Sequence, residues 1–173
     1  MARVFGLTIV VCTFFLTIGF QVADWLKFKS TEENFMISIP SEPKQERNNH
    51  KGPFGNGHHI YSVESNNISY TISYSSFDSP ITDSKEVKRI LGLSRDMVRM
   101  VTNGSVVSDK EIDLEGFPGR EVRIEKDKRL WILRVFIVKE RMYQLTTTQP
   151  KAKAESSETV KFYESFKLLS RPE

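Results

Sequence analysis

The sequence predicts a domain of the α+β class, in which an antiparallel β-sheet of about six to eight strands is flanked by two helices. Segments with apolar residues at every second position recur along the chain, and short turn sequences separate most of them. Two segments have the spacing of an amphipathic helix, one in the middle of the chain and one near its carboxyl end. Consecutive strands joined by tight turns pair in an antiparallel way, which leaves the helices to pack on the sheet.

The composition is that of an ordinary folded domain. Of the 173 residues, 39% are hydrophobic, 11% aromatic and 27% charged, which excludes a disordered or collagen-like chain. This length corresponds to one domain with an extension. The formal net charge is +3, and cations alternate with acids along the chain. Because no basic stripe of the kind that binds a phosphate backbone is visible, we expect no nucleic-acid partner.

Residues 1–23 have the layout of a signal peptide or a membrane anchor. Arg3 precedes an apolar run at 4–22 that carries no charge, and Ala23 supplies a small residue at a cleavage point. As a helix this run is roughly 28 Å long, close to the ~30 Å hydrocarbon core of a bilayer, so retention as an anchor is the alternative. Gln21 fits the small-x-small cleavage rule poorly, but cleavage is the favoured interpretation.

The folded part is residues 24–173, a single domain expected outside the cytoplasm. We expect it to be periplasmic, extracellular or held at the outer face of the cytoplasmic membrane, with membrane contact only through 4–22 if that run is retained. The only cysteine, Cys12, lies in the run. The folded part therefore has no thiol for a disulfide, a cysteine-ligated metal or nucleophilic catalysis.

The first half of the folded part predicts strands on either side of a long polar loop. Strands are expected at 25–28 and 35–39, and the stretch 40–57 is interpreted as a long, mobile loop. The stretch 68–75 alternates strictly between apolar and hydroxyl-bearing residues, which is typical of a strand with one packed face. Asn66-Asn67 is a candidate turn between this strand and the one before it.

The central helix is predicted to begin near Asp83 and to end at Asn103-Gly104, because an acidic cap with Glu86 three residues on starts helices and Asn-Gly stops them. We expect this helix to lie across the sheet. Its predicted apolar stripe consists of Val87, Ile90, Leu91, Met97, Val98 and Val101.

A meander of four strands and a terminal helix follow in the sequence. The strand at 130–138 is apolar on both faces except at Arg134, so it should be central and covered on both sides. Tight turns are predicted at 116–119 and at Glu140-Arg141. The remaining strands are expected at 106–114, from Val122 onward and at 142–148, and the terminal helix around 160–166.

Several of these segments resemble exported bacterial domains of the PsbP-like and Mog1-like group. The resemblance covers roughly residues 25–169 and rests on Phe35–Ile39 with Pro40, on the turn 116–121, on the strand 141–145 and on the helix exit 162–168. It implies an α/β/α sandwich, and it implies cleavage just before the first strand, which contains Trp25. It also implies a non-enzymatic module that acts by binding larger assemblies.

Candidate site residues are few. His58 and His59 are weak metal candidates, because extended neighbours point to opposite faces of a strand and cannot chelate one ion together; with His50 they are more simply a polar loop. Glu32-Glu33 is interpreted as a solvated acidic pair. The tyrosines at 61, 70 and 74 are interpreted as sheet core rather than as a sugar- or protein-binding surface. The chain has no Gly-x-Ser-x-Gly elbow, so no catalytic residue and no cofactor are expected.

Arg120 and Arg134 each interrupt an apolar strand, and a half-buried arginine needs a partner. Pairing with Glu121, Glu125 or another nearby acid is one interpretation, and contact with an anion or a partner is the other. Together these features predict an exported accessory or binding module that acts on an envelope protein or a small ligand through a sheet face or the loop at 41–57. The alternative is an envelope hydrolase or enzyme subunit with a pocket that the sequence does not reveal.

Overall fold

The fold is taken from a computed structural model, which describes residues 25–49, 51–52 and 54–169. The predicted signal peptide or anchor at 1–23 and His50 lie outside the described residues. Within them, no helix is both long enough and apolar enough to cross a bilayer.

The described residues form ten strands, two α-helices and a short 3₁₀ turn, in agreement with the predicted α+β class. The strands are β1 (Leu26–Ser30), β2 (Phe35–Ile39), β3 (Lys44–Asn48), β4 (Asn56–Ser65), β5 (Ile68–Ser76), β6 (Ser105–Leu114), β7 (Phe117–Lys126), β8 (Arg129–Val138), β9 (Arg141–Pro150) and β10 (Lys167–Leu168). The helices are α1 (Ser84–Thr102) and α2 (Ser157–Glu164), and the 3₁₀ turn spans Lys151–Lys153.

The strands belong to two antiparallel sheets. The larger sheet has seven strands in the order β3-β4-β5-β9-β8-β7-β6, and the smaller has three in the order β1-β2-β10. The prediction placed all strands in one sheet of six to eight; the structure pairs the strands predicted at 25–28 and 35–39 in the smaller sheet and adds β3 to the larger one. The smaller sheet was not predicted, because its strands are short and β10 returns from the far end of the chain to pair with β2.

The two faces of the large sheet carry separate hydrophobic clusters. α1 covers one face, where its apolar side chains meet those of β7, β8 and β9. The small sheet and α2 cover the other face, where an aromatic-rich cluster forms around Phe35, Tyr70, Tyr143 and Phe162. The tyrosines at 61 and 70 are buried in this second cluster and Tyr74 packs against it, as expected for sheet core.

α1 begins and ends where the sequence predicts. The Asp83 side chain accepts a hydrogen bond from the Lys85 backbone N–H, and Asn103 closes the helix in the left-handed conformation. The predicted apolar stripe is wrong at Met97 and Val101, which are 38% and 78% exposed, whereas Val98 packs against the cluster under α1. α1 packs chiefly on β7 and β8, and the side of the helix that carries these two residues is turned toward solvent.

The turns and the polar loop differ in detail from their predictions. Asn66 and Asn67 are both left-handed, with φ of 51° and 62°, and form the predicted hairpin turn. The turn predicted at 116–119 lies earlier, at Glu115-Gly116, and Lys139 rather than Arg141 turns the chain between β8 and β9. The stretch 40–57 contains β3, whose five residues are all exposed at the sheet edge; an edge strand without apolar alternation gives no strand signal.

Two glycines give opposite predictions for stability. A Cβ at Gly119 would lie 2.4 Å from Phe136 Cδ1 and 2.7 Å from the Val135 oxygen, so β7 can approach β8 this closely only without a side chain. Gly119→Ala should lower the free energy of unfolding by about 1–3 kcal/mol.

The matched control is Gly92→Ala in α1, where the nearest atom outside the helix is Arg120 Nη1 at 3.8 Å. Gly92→Ala should raise stability by about 0.5–1 kcal/mol. Urea denaturation of both variants measures the difference, and equal effects would contradict the packing argument.

Candidate functional site

A buried carboxylate at the turn between β1 and β2 is the centre of a polar cluster that the sequence did not reveal. Glu33 is 1% exposed, contrary to its interpretation as a solvated acid. Its Oε1 accepts a hydrogen bond from the Tyr61 hydroxyl at 2.8 Å and contacts His59 Nδ1. The Tyr143 hydroxyl donates to the Glu33 backbone oxygen at 2.7 Å. Among the described residues, Glu33 Oε2 has no hydrogen-bond partner.

The phenols around Glu33 are held neutral. Burial raises the pKa of Tyr61 to about 12, and the hydrogen bond to the Glu33 carboxylate acts in the same direction. Burial likewise raises the pKa of Tyr143 to about 12 and that of Tyr74 above its ordinary value. Neutral phenols can donate hydrogen bonds to a carboxylate, which is what Tyr61 does here. These contacts fix the β1–β2 turn on the large sheet.

His58 and His59 lie on opposite faces of β4. His59 faces Glu33 and packs its ring 5.9 Å from that of Tyr74. His58 lines a groove on the α1 side together with Phe54 and Met97, and burial lowers its pKa. Within the described residues no group of three or more His, Cys, Asp or Glu side chains could hold a metal ion. The geometry therefore does not bring the two predicted histidines together.

Arg134 lies between the large sheet and α2 in a network of charges. Its Nε donates to Glu121 Oε2 at 2.8 Å, its Nη1 donates to Glu164 Oε1 at 3.2 Å, and its guanidinium carbon lies 4.7 Å from the ring centre of Tyr163. Glu121 is 6% exposed and also accepts a hydrogen bond from Arg123 Nε at 3.1 Å. Arg134 is therefore paired with acidic side chains, which is the first of its two interpretations, and Glu121 is one of the acids named from the sequence.

Glu121 is ionised because its arginine partners outweigh its burial. Burial alone raises the pKa of a carboxyl group, but the hydrogen bonds and charges of Arg134 and Arg123 lower the pKa of Glu121 below its ordinary 4.5.

The hydroxyl of Tyr163, on α2, ties this helix to the large sheet: it donates to the Ile132 oxygen at 2.6 Å and accepts from the Thr147 backbone N–H at 2.9 Å. This network holds α2 in place.

Arg120 lies on the opposite face of the sheet from Arg134. Its Nε donates to Asp109 Oδ1 at 2.6 Å, and Asp109 Oδ2 accepts a second hydrogen bond, from Arg95 Nη1 of α1, at 3.2 Å. Asp109 was not among the partners named from the sequence, because it is brought to Arg120 by the pairing of β6 with β7. The two predicted arginines thus belong to two separate sites.

Arg120 lines an open cleft between the first half of α1 and the hairpin formed by β6 and β7. The cleft has a volume of about 420 Å³, which is within the usual range of small-ligand sites. Its lining is mostly apolar, with the charged side chains of Lys88, Glu111 and Arg120 around it. The full lining is Ile81, Thr82, Ser84, Val87, Lys88, Leu91, Glu111, Ile112, Pro118, Gly119 and Arg120.

The cleft is built for contact with a partly apolar group. Thr82 and Ser84 bring hydroxyl groups to it, but its lining contains no histidine. Lys88 and Glu111 make no ion pair within the described part of the chain, so both charges are open to an occupant. The sequence did not single out these two residues, because the cleft forms only when α1 crosses strands that follow it in the chain.

Comparisons with known proteins show a fold and no family. No family model matches the sequence, and no curated protein matches it. Among solved structures, the chain is similar to the cyanobacterial PsbP of Synechocystis sp. PCC 6803, with a TM-score of 0.60 and 8% identity over 87% of this chain and 95% of that one. This likeness shows a PsbP-like fold, as the resemblance in the sequence implied.

Two further solved structures show a weaker likeness. One is a Bacteroides thetaiotaomicron VPI-5482 protein, with a TM-score of 0.46 and 12% identity over 85% of this chain and 49% of that one. The other is a Pseudomonas aeruginosa protein of unknown function, with a TM-score of 0.40 and 13% identity over 79% of this chain and 90% of that one.

Removal of Arg134 should destabilise the fold, because it leaves the buried Glu121 with one arginine partner instead of two. We expect Arg134→Ala to lower the free energy of unfolding by about 2 kcal/mol. Arg129→Ala is the control: Arg129 makes one long contact, 3.5 Å to Asn67 Oδ1, and its loss should change stability by less than about 0.5 kcal/mol. Chemical denaturation measures both, and a similar loss in the two variants would contradict the network.

The lowered pKa of Glu121 also predicts a pH dependence. A depressed carboxyl pKa contributes stability above the unfolded-state value of about 4.3, and this contribution is lost as the pH falls through the lower folded-state pKa. Glu121→Gln should therefore be less stable than the wild type at neutral pH, and the gap should shrink as the pH falls from about 5 to about 3. Glu164→Gln, at an exposed site, should show a gap that stays nearly constant. Thermal melts across this range measure both.

Proposed function

We propose that this protein is a non-enzymatic, exported accessory module that binds a partner segment or small ligand in the cleft between α1 and the β6–β7 hairpin. One observation carries the proposal: the cleft is open and largely apolar, whereas the buried ionisable cluster around Glu33 is closed off elsewhere in the fold. Binding needs an accessible concave surface, while catalysis also needs reactive groups that converge on it.

The chemistry of the cleft supports an occupant with an apolar body and groups of both charges. Ile81, Leu91 and Ile112 offer apolar contact. Lys88 and Glu111 are cation and anion without an ion pair in the described residues, so an occupant that carries an acid and a base can satisfy both. A short peptide segment with an apolar side chain between charged neighbours has these properties.

The separation of the polar groups favours binding over the hydrolase alternative. A hydrolase needs a nucleophile within hydrogen-bond reach of a general base, both facing a cavity. The hydroxyls that line the cleft belong to Thr82 and Ser84, and the part of the lining that the structure describes contains no histidine to act as their base. His59, which has a carboxylate partner, packs against the core on the other side of the large sheet.

Export is supported by the sequence of the amino-terminal segment. The apolar run at 4–22, preceded by Arg3 and followed by Ala23, has the order of charge, apolar stretch and small residue that signal peptides use. Intact-mass measurement of the native protein tests this part of the proposal. We expect a mature chain that begins at Asp24, and a terminus at Met1 would reject cleavage while leaving an anchored module.

Site-specific crosslinking in the native host tests the cleft. A photo-crosslinking amino acid at position 112, inside the cleft, should trap a defined partner, whereas one at position 107, outside it on the same strand, should not trap the same partner.

Lys88→Glu should reduce the crosslink from position 112 about tenfold, as expected for loss of one charge-assisted contact of about 1.4 kcal/mol. The matched control is Lys85→Glu, one turn earlier on α1 and outside the cleft. Equal loss in both variants, or the same product from both positions, would exclude the cleft as the binding site.

A further inference from the structure

Four exposed large apolar side chains of the described residues flank the turn between α1 and β6, at one end of the large sheet. They are Met100, Val101, Val106 and Val107, whereas Met97 lines the groove beside His58 and Val160 lies on α2, on the other face of the sheet. The turns at Asn66-Asn67, Asn103-Gly104 and Asp127-Lys128 mark the same end. We call it the basal end. The cleft between α1 and the β6–β7 hairpin lies nearer the other end, where β6 turns into β7.

A local distortion of β6 contributes to this exposure. In a regular strand, neighbouring side chains point to opposite faces, so one of two adjacent valines would face the sheet's cover. The pairing of β6 with β7 shifts register between Val106 and Ser108, and this bulge leaves Val106 37% and Val107 52% exposed. Bulges of this kind re-aim side chains. Contiguous exposed apolar side chains mark interaction surfaces, and Val106 and Val107 follow the exposed Met100 and Val101 directly across the Asn103-Gly104 turn.

Cations accompany the apolar side chains. The turn between β7 and β8 reads Lys126-Asp127-Lys128-Arg129, three cations with one acid. Lys126, Lys128 and Arg129 make no ion pair within the residues that the structure describes. Apolar side chains next to free cations are the combination that holds proteins at the surface of an anionic bilayer, where the cations meet lipid phosphates and the apolar groups enter the interface.

The start of the described chain lies at the same end. Trp25 packs its ring edge-on against Tyr70, 5.6 Å between ring centres, near the beginning of β5. Lys161 of α2 lies 5.0 Å from the centre of the Trp25 ring. The folded part therefore begins at the basal end, and where the run at 4–22 is kept as an anchor it holds this end at the membrane.

From these three observations we infer that the basal end rests on an anionic lipid bilayer through Met100, Val101, Val106 and Val107, with Lys126, Lys128 and Arg129 on the lipid phosphates. The cleft then faces away from the bilayer. This inference rests on the proposed export, because the apolar run brings the chain to a membrane, and it does not require a ligand in the cleft. A protein partner at the basal end is the competing occupant, and it predicts no dependence on lipid charge.

Fluorescence quenching tests the inference with the uncleaved chain, whose run at 4–22 anchors it in the vesicle. Cys12 is replaced by Ser, and an environment-sensitive fluorophore is attached to Val107→Cys at the basal end or to Lys85→Cys at the start of α1. The chain is reconstituted in vesicles of phosphatidylcholine alone or of equal parts phosphatidylcholine and phosphatidylglycerol, with a spin-labelled lipid as quencher. We expect quenching at position 107 to be at least about twofold stronger with phosphatidylglycerol and to exceed that at position 85.

Charge-reversal variants separate lipid contact from simple tethering by the apolar run. The double variant Lys126→Glu with Lys128→Glu should remove most of the extra quenching at position 107, whereas Lys85→Glu with Lys139→Glu, at the other end, should retain it in the same labelled chain. Quenching at position 107 that is independent of phosphatidylglycerol would mean tethering only and would overturn the inference. Equal quenching at positions 107 and 85, or none at 107, would overturn it too.

Discussion

Burial of β8 and its neighbours on both faces is the constraint on which the rest of the structure depends. β8 supplies Leu133, Val135 and Ile137 to the cluster under α1, and Leu130, Ile132 and Phe136 to the cluster under α2 and the small sheet. A strand that is apolar on both faces must be covered twice. Each cover then fixes the position of one surface: α1 forms a wall of the cleft, and α2 closes over the network around Arg134.

Two buried acidic side chains hold parts of the fold together. Glu33 and Glu121 are both nearly inaccessible, and each is contacted by side chains from other parts of the chain: Tyr61 and His59 for the first, Arg134 and Arg123 for the second. A buried carboxylate without such partners would be strongly destabilising. These clusters pin the β1–β2 turn and α2 to the large sheet.

The two ends of α1 border two different surfaces of the molecule. The first half of the helix buries Val87, Ile90 and Leu91 and borders the cleft, while its last turns expose Met100 and Val101 at the basal end. A helix of 19 residues is roughly 28 Å long, so the two surfaces lie far apart. A module that rests on a bilayer through one end and binds through the other can hold its partner away from the lipid. The PsbP-like fold supplies the frame, and the surface side chains decide what each end contacts.

The sequence by itself determined the features that depend on neighbours along the chain. These include the α+β class, the caps of α1 at Asp83 and Asn103, the hairpin turn at Asn66-Asn67 and the two-sided burial of β8. Local periodicity and turn chemistry encode such features directly. The tertiary structure alone decided the rest. β3 is a strand because β4 offers it an edge, Glu33 is buried because β4 and β9 close over it, and the cleft exists because α1 crosses strands that come later in the chain. Contacts between residues far apart in sequence leave no periodic signal, so only folding reveals them.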